Sequence, residues 1–162
     1  MGIRVMHENS GSRTRGFAVK SGDTVYPGLV VQKEDNDTIK IPTTLTEPML
    51  GLALDSNVLY PFQATAPDTT AGEGYNYLDY NRQGLVAYIS NAEVELYDDK
   101  RAAAGASHPV DYSKTYAVNE PVYVIASGKI DNATSGNTQV GVVTAVENNG
   151  SSALVLRAKL TI

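Results

Sequence analysis

With no cysteine among its 162 residues, the chain has no disulfide staple, thiolate metal ligand or cysteine nucleophile, and one domain of this length buries a real core without them. The formal charge of −5 is unevenly placed: Arg4, Arg13 and Arg15 against Glu8 give residues 1–16 a charge of +2, leaving −7 on the remainder. An acidic body of this kind argues against nucleic-acid binding by the domain as a whole, because phosphate neutralisation requires clustered Lys and Arg.

Residues 1–16 mix Gly2, Gly11, Gly16, Ser10 and Ser12 with the three arginines and show no sustained period. They predict a flexible basic arm that orders on contact and whose removal leaves the fold intact. Met1-Gly2 is not a myristoylation signal, since Met6 stands where that motif has Ser or Thr. The first residues lack the apolar core of a secretory signal, and no stretch approaches the roughly 18 consecutive apolar residues of a membrane span. A chain made in the cytoplasm, with no membrane partner, is expected.

Residues 17–162 read as a single β domain. Phe17-Ala18-Val19 is a short strand, and Ser21-Gly22-Asp23 a turn. A second strand over 24–32 is interrupted by Pro27-Gly28, which marks an edge or a bulge. Ile39-Lys40-Ile41 and residues 49–54 follow as strands, with a charged turn over 33–38. The pattern lapses over residues 59–84, a long loop holding Tyr60, Phe62, Tyr75, Tyr77 and Tyr80. Tyrosine offers a large amphipathic contact area at low entropic cost, so this cluster is expected to form an interface. Strands resume over 85–90 and 93–97, residues 98–107 allow one or two helical turns, and further strands are expected over 115–118 and 122–126.

The chain closes on a hairpin. Leu154, Leu156, Ala158, Leu160 and Ile162 fall on one face of the last strand and Arg157, Lys159 and Thr161 on the other. In its partner, Val140, Val142 and Val146 share a face, and Asn149-Gly150 supplies a dipeptide that tolerates positive φ at the reversal. Short echoes also run through the chain. Phe17-Ala18-Val19 with Val25-Tyr26 returns as Tyr116-Ala117-Val118 with Val122-Tyr123, and glycine opens an apolar run at Gly51, Gly84 and Gly141. Duplication and β-rich coincidence both account for the echoes, and glycine at such starts fits a bulge or a close backbone approach.

Catalytic, cofactor and metal sites are not expected. His7 and His108 lack ligand-spaced partners and read as surface side chains. Residues 35–38 resemble the opening of a calcium loop without its glycine or distal Glu, and read as a charged turn. Ser107, His108 and Asp111 lie too close in sequence to assemble a nucleophilic triad. Glu93 and Glu95, two apart on one strand face, resemble a glycosidase pair, although solvent carboxylates give the same spacing.

Three stretches carry a family resemblance: Gly22-Asp23-Thr24-Val25-Tyr26-Pro27-Gly28-Leu29-Val30, then Glu120-Pro121-Val122-Tyr123-Val124 with Ala126-Ser127-Gly128-Lys129-Ile130, and the Val140-Gly141-Val142-Val143 hairpin. Together they resemble the head decoration, or capsid cement, proteins of tailed bacteriophages, over most of residues 17–162. The resemblance implies an all-β fold, a small β-barrel or sandwich with an extended N-terminal arm, and a homotrimer on the outside of the virion head. There it would bridge subunits of the major capsid protein, with no cofactor. Arg4, Arg13 and Arg15 are then the expected capsid-docking residues of the arm, and the 59–84 tyrosines the interface loop. A carbohydrate- or receptor-binding β module of a virion or cell surface is the alternative, with the loop tyrosines stacking sugar rings.

Overall fold

The computed structural model describes residues 3–9, 11–14, 16–57, 85–98 and 108–162. The strands are β1 (Ile3–Glu8), β2 (Ala18–Val19), β3 (Val30–Lys33), β4 (Thr38–Lys40), β5 (Gly51–Ala53), β6 (Tyr88–Ile89), β7 (Ala92–Tyr97), β8 (Pro121–Val124), β9 (Ile130–Asp131), β10 (Gln139–Glu147) and β11 (Val155–Leu160). Among the described residues the helical structure is one 3-10 turn, Ala126–Gly128. The fold is all-β, as the recurring apolar alternation predicts.

The strands form two sheets. One is antiparallel throughout, in the order β1-β7-β11-β10-β8-β9. The other runs β2-β4-β3-β5-β6, with β2 and β4 parallel. This second sheet curls into a half-barrel whose seam is bridged by the residues just ahead of its two outer strands. The Phe17 amide donates to the Val86 carbonyl and the Val86 amide to the Phe17 carbonyl, both at 2.8 Å. Inside the curl lie Val25, Val31, Ile39, Ala53 and Val86. The main core fills the space between the sheets, with Val30, Leu52 and Ile89 from the curled sheet meeting Leu96, Val122, Val143, Leu156 and Leu160 from the six-stranded one.

Gly51 marks a close approach of β5 and β6. A Cβ at this position would fall inside contact distance of the Ile89 carbonyl oxygen on the neighbouring strand. Gly141 is the equivalent place in the other sheet, where a Cβ would lie 2.7 Å from the Lys159 carbonyl oxygen. Both fit the close approach expected of glycine at those starts.

The closing hairpin forms as read, with Leu154, Leu156, Ala158 and Leu160 buried. Its partner strand departs from simple alternation. The register of β10 shifts between Gln139 and Gly141 against β8, and again between Val143 and Ala145 against β11. Each extra residue moves the inward phase by one, so Val140, Val143 and Val146 meet the core and Val142 does not. At the reversal, Asn148 (φ 52°) and Gly150 (φ 73°) take the left-handed conformation, so positive φ falls on either side of Asn149.

Three other expectations need correction. Residues 3–8 are a strand rather than a mobile arm: β1 pairs with β7 from Ile3↔Leu96 to Glu8↔Ala92, and Ile3 is 2% exposed in the main core. Residues 115–118 are not a strand, being held by side chains, as described below. The second copy of the echo therefore differs from the first, where Ala18–Val19 is a strand. The strand expected over 24–32 is shortened by a turn at Tyr26–Leu29, with Gly28 at φ 93°, and begins at Val30. The 59–84 loop and most of the helical turns expected over 98–107 lie outside the described residues.

Two stability outcomes follow. Ile3→Ala is expected to cost roughly 2–5 kcal/mol, the usual range for truncating a buried Ile, and deletion of residues 1–16 to destabilise the domain further. Gly51→Ala is expected to cost about 1–3 kcal/mol or more through forced strand separation, whereas Gly136→Ala, with nothing within 4 Å of the new Cβ, stays near neutral. Urea denaturation of the four proteins against the parent checks both.

Candidate interaction face

The outer face of the six-stranded sheet gathers charges from strands far apart in sequence. On β7, Val94 and Leu96 point into the core, so Glu93 and Glu95 point outward. Antiparallel register then flanks each of them from both neighbouring strands. Arg4 of β1 and Arg157 of β11 both stand opposite Glu95, and His7 and Lys159 both stand opposite Glu93.

In the first row the pairing is tight. Glu95, whose side chain is 11% exposed, accepts from Arg157 Nε at 2.8 Å and from Arg4 Nη2 at 3.1 and 3.2 Å. Arg157 also reaches Glu147 at 3.6 Å. Hydrogen bonding to Glu95 first, then its charge, stabilises the protonated guanidinium of Arg157. A nearly buried carboxylate between two guanidiniums thus links three strands. The Arg4 side chain stays 58% exposed, and its guanidinium has more donors than Glu95 occupies.

The second row is looser. Glu93 Oε1 accepts from Thr144 Oγ1 at 2.9 Å, and Lys159 makes no ion pair among the described residues. His7, Asn9, Asn91, Ala92, Glu93 and Lys159 surround an open cleft of about 250 Å³ at this end of the face. The turn beneath it is held by Asn9 Nδ2 donating to the Asn91 carbonyl at 3.0 Å and Ser12 Oγ donating to the Asn9 carbonyl at 2.6 Å.

Of the expected docking residues, Arg4 lies on this face. Arg13 pairs with Glu8 at 3.0 Å and remains 55% exposed. Arg15 and the loop residues Tyr60, Phe62, Tyr75, Tyr77 and Tyr80 lie outside the described residues. Glu93 and Glu95 do share a face, and each is already engaged, by a hydroxyl and by two guanidiniums respectively. Asp111 Oδ1 accepts from Ser113 Oγ at 2.6 Å and from the Ser113 amide, bonds that hold its carboxyl below the ordinary range. Residues 35–38 form the expected turn, Asp35 Oδ1 accepting from the Asp37 amide at 2.9 Å. No group of three or more His, Asp or Glu suited to a metal ion occurs among the described residues. Sequence reading missed a second ionic cluster, in which Glu34 bridges Lys20 at 2.8 Å and Lys40 at 2.7 Å. Hydrogen bonds from the two ammonium groups lower its carboxyl to about 2.

His108 is not on the surface. It is 4% exposed, its Nδ1 accepts from the Val110 amide at 3.3 Å, and its ring lies 5.3 Å from that of Tyr112. Nδ1 as acceptor makes Nε2 the protonated nitrogen, and among the described residues Nε2 has no hydrogen bond of ordinary geometry, although the Leu154 backbone is near enough to favour charge. Burial pushes the imidazole below its ordinary 6.5; the charge of Lys129 acts the same way and that of Asp98 against it. The unfolded chain therefore takes up this proton more readily than the fold. The contribution of neutral His108 is full above 6.5 and declines as pH falls through that value toward the lower folded one. Urea midpoints measured from about pH 7.5 to about 5 should fall more steeply for the parent than for His108→Gln, which cannot titrate there.

No protein-family model and no curated protein matches this chain.

Proposed function

We propose that this chain is a structural protein of a phage virion, a decoration or cement protein that binds the outside of the head and stabilises contacts between major capsid subunits. The sequence resemblance over residues 17–162 supports this reading, and the observation that carries it is the outer face of the six-stranded sheet. That face is a firm polar platform: its side chains are braced across strands, it offers unused guanidinium and ammonium donors, and its carboxylates are already held by neighbours. Such a surface suits a broad contact with another folded protein. Arg4, Arg13, Arg15 and Lys159 are the cations assigned to acidic groups on the capsid subunit. Arginine serves here because its planar fork binds carboxylates in two bonds at once. Arg4 and Arg13 dock without leaving Glu95 and Glu8, since each guanidinium has five donors.

The tyrosine-rich 59–84 loop is assigned to contacts between copies, in a trimer assembled in the host cytoplasm and carried on the virion surface. The role is binding, with no cofactor and no reaction.

Cosedimentation with undecorated heads tests the reading. The parent should decorate heads, with affinity falling as salt rises. Lys159→Gln and Arg13→Gln, at exposed positions outside the core, should each weaken binding several-fold with the thermal midpoint little changed. Absence of decoration by the parent would refute the proposal, and binding to a glycan array in its place would support a carbohydrate-binding module.

A further inference from the structure

The chain contains one Asn-Gly dipeptide, Asn149-Gly150. This is the sequence most prone to spontaneous loss of the side-chain amide, because glycine leaves its own backbone nitrogen open to approach. The fold holds that side chain in an unusual way. Asn149 Oδ1 accepts from the Tyr116 amide at 2.9 Å while Asn149 Nδ2 donates to the Tyr116 carbonyl at 2.7 Å. One amide thus occupies both backbone groups of a single residue 33 positions away. Tyr116 is itself 4% exposed, and its hydroxyl donates to the Asp111 carbonyl at 2.8 Å. The adjoining Thr115 carbonyl accepts from Asn132 Nδ2 at 2.7 Å, and the Ala117 amide donates to Glu120 at 2.9 Å. The clip therefore closes on a segment fixed from several sides.

We propose that Asn149 is a deamidation site governed by this clip, protected while the 115–117 segment is docked and exposed to reaction when it lifts. In the reaction the Gly150 backbone nitrogen attacks Asn149 Cγ, the bond from Cγ to Nδ2 breaks, and ammonia leaves with the proton lost from the Gly150 nitrogen. The resulting succinimide adds water at either carbonyl to give aspartate or isoaspartate. No oxidant or enzyme is required. Attack needs Cγ to swing over the Gly150 nitrogen, which it cannot do with both terminal atoms held on Tyr116. Once converted, the side chain presents a carboxylate oxygen where Nδ2 donated, facing the Tyr116 carbonyl, and the clip cannot close again. A reversible local opening becomes permanent.

The test is peptide mapping by mass spectrometry of the full chain, held at mildly alkaline pH natively and in denaturing urea. Conversion at Asn149 should be rapid in urea and about tenfold or more slower in the native protein, since reaction proceeds from the small open population. Asn132→Ala, which frees the Thr115 carbonyl, should speed native conversion and leave the rate in urea unchanged. Asn149→Asp should lower the thermal midpoint by roughly 2–6 °C, whereas Asn148→Asp should move it less. Equal native and unfolded rates would overturn protection by the clip, and absence of conversion in urea would overturn the site itself.

Discussion

Val30 and Leu52 stand on one face of β3 and β5, Val31 and Ala53 on the other, and all four are fully buried. The first pair closes the main core against the six-stranded sheet; the second fills the curl. With Val and Leu side chains contributing about 1.5–3 kcal/mol each when fully buried, and Ala53 less, two short strands tie both apolar clusters together. The arrangement depends on close backbone approach. Gly51, between the buried pairs and against Ile89, lets the curled sheet stay narrow enough for Phe17 and Val86 to bridge its seam. A wider sheet would separate the two cores.

The all-β class and the closing strand were legible because alternation is local: Leu154 to Leu160 needs no knowledge of a partner. The inward phase of β10 was not, since the register shifts around Val140 and Thr144 are properties of pairing with β8 and β11. The N-terminal residues misled for a related reason. Ile3 and Val5 are too few to declare a strand, and Arg4 reads as a loose charge until Glu95, 91 positions on, is placed beside it. Residues 115–118 look like a strand by composition, yet Asn149, Asn132 and Glu120 satisfy their backbone groups instead of a ladder. The burial of His108 was not legible, because Leu154, 46 positions on in the sequence, is brought beside it only by the fold. Of the interaction face, the shared phase of Glu93 and Glu95 and the outward phase of Arg157 and Lys159 were visible, and the register that sets them side by side was not.

The two margins of the six-stranded sheet are treated differently. Beyond β9, Val110 lies alongside Ile130: the Ile130 amide donates to the Pro109 carbonyl, and the Asp111 amide to the Ile130 carbonyl. At β1 the ladder shifts between Val5 and His7, and Arg4, His7 and Glu8 are exposed. A covered margin and a bulged, charged one both discourage addition of a further strand.

The place of β7 between β1 and β11 also orders events in time. Arg4 lies 91 residues before Glu95, and Arg157 lies 62 residues after it. A growing chain therefore makes β1 long before the strand that receives it, and β7 keeps an open side until β11 emerges. The large entropy of closing such loops comes before any reward from the pairing, which places the domain among slow folders, in the millisecond-to-second range. Ile3 and Val5 remain without their core until β7 and β11 have been made.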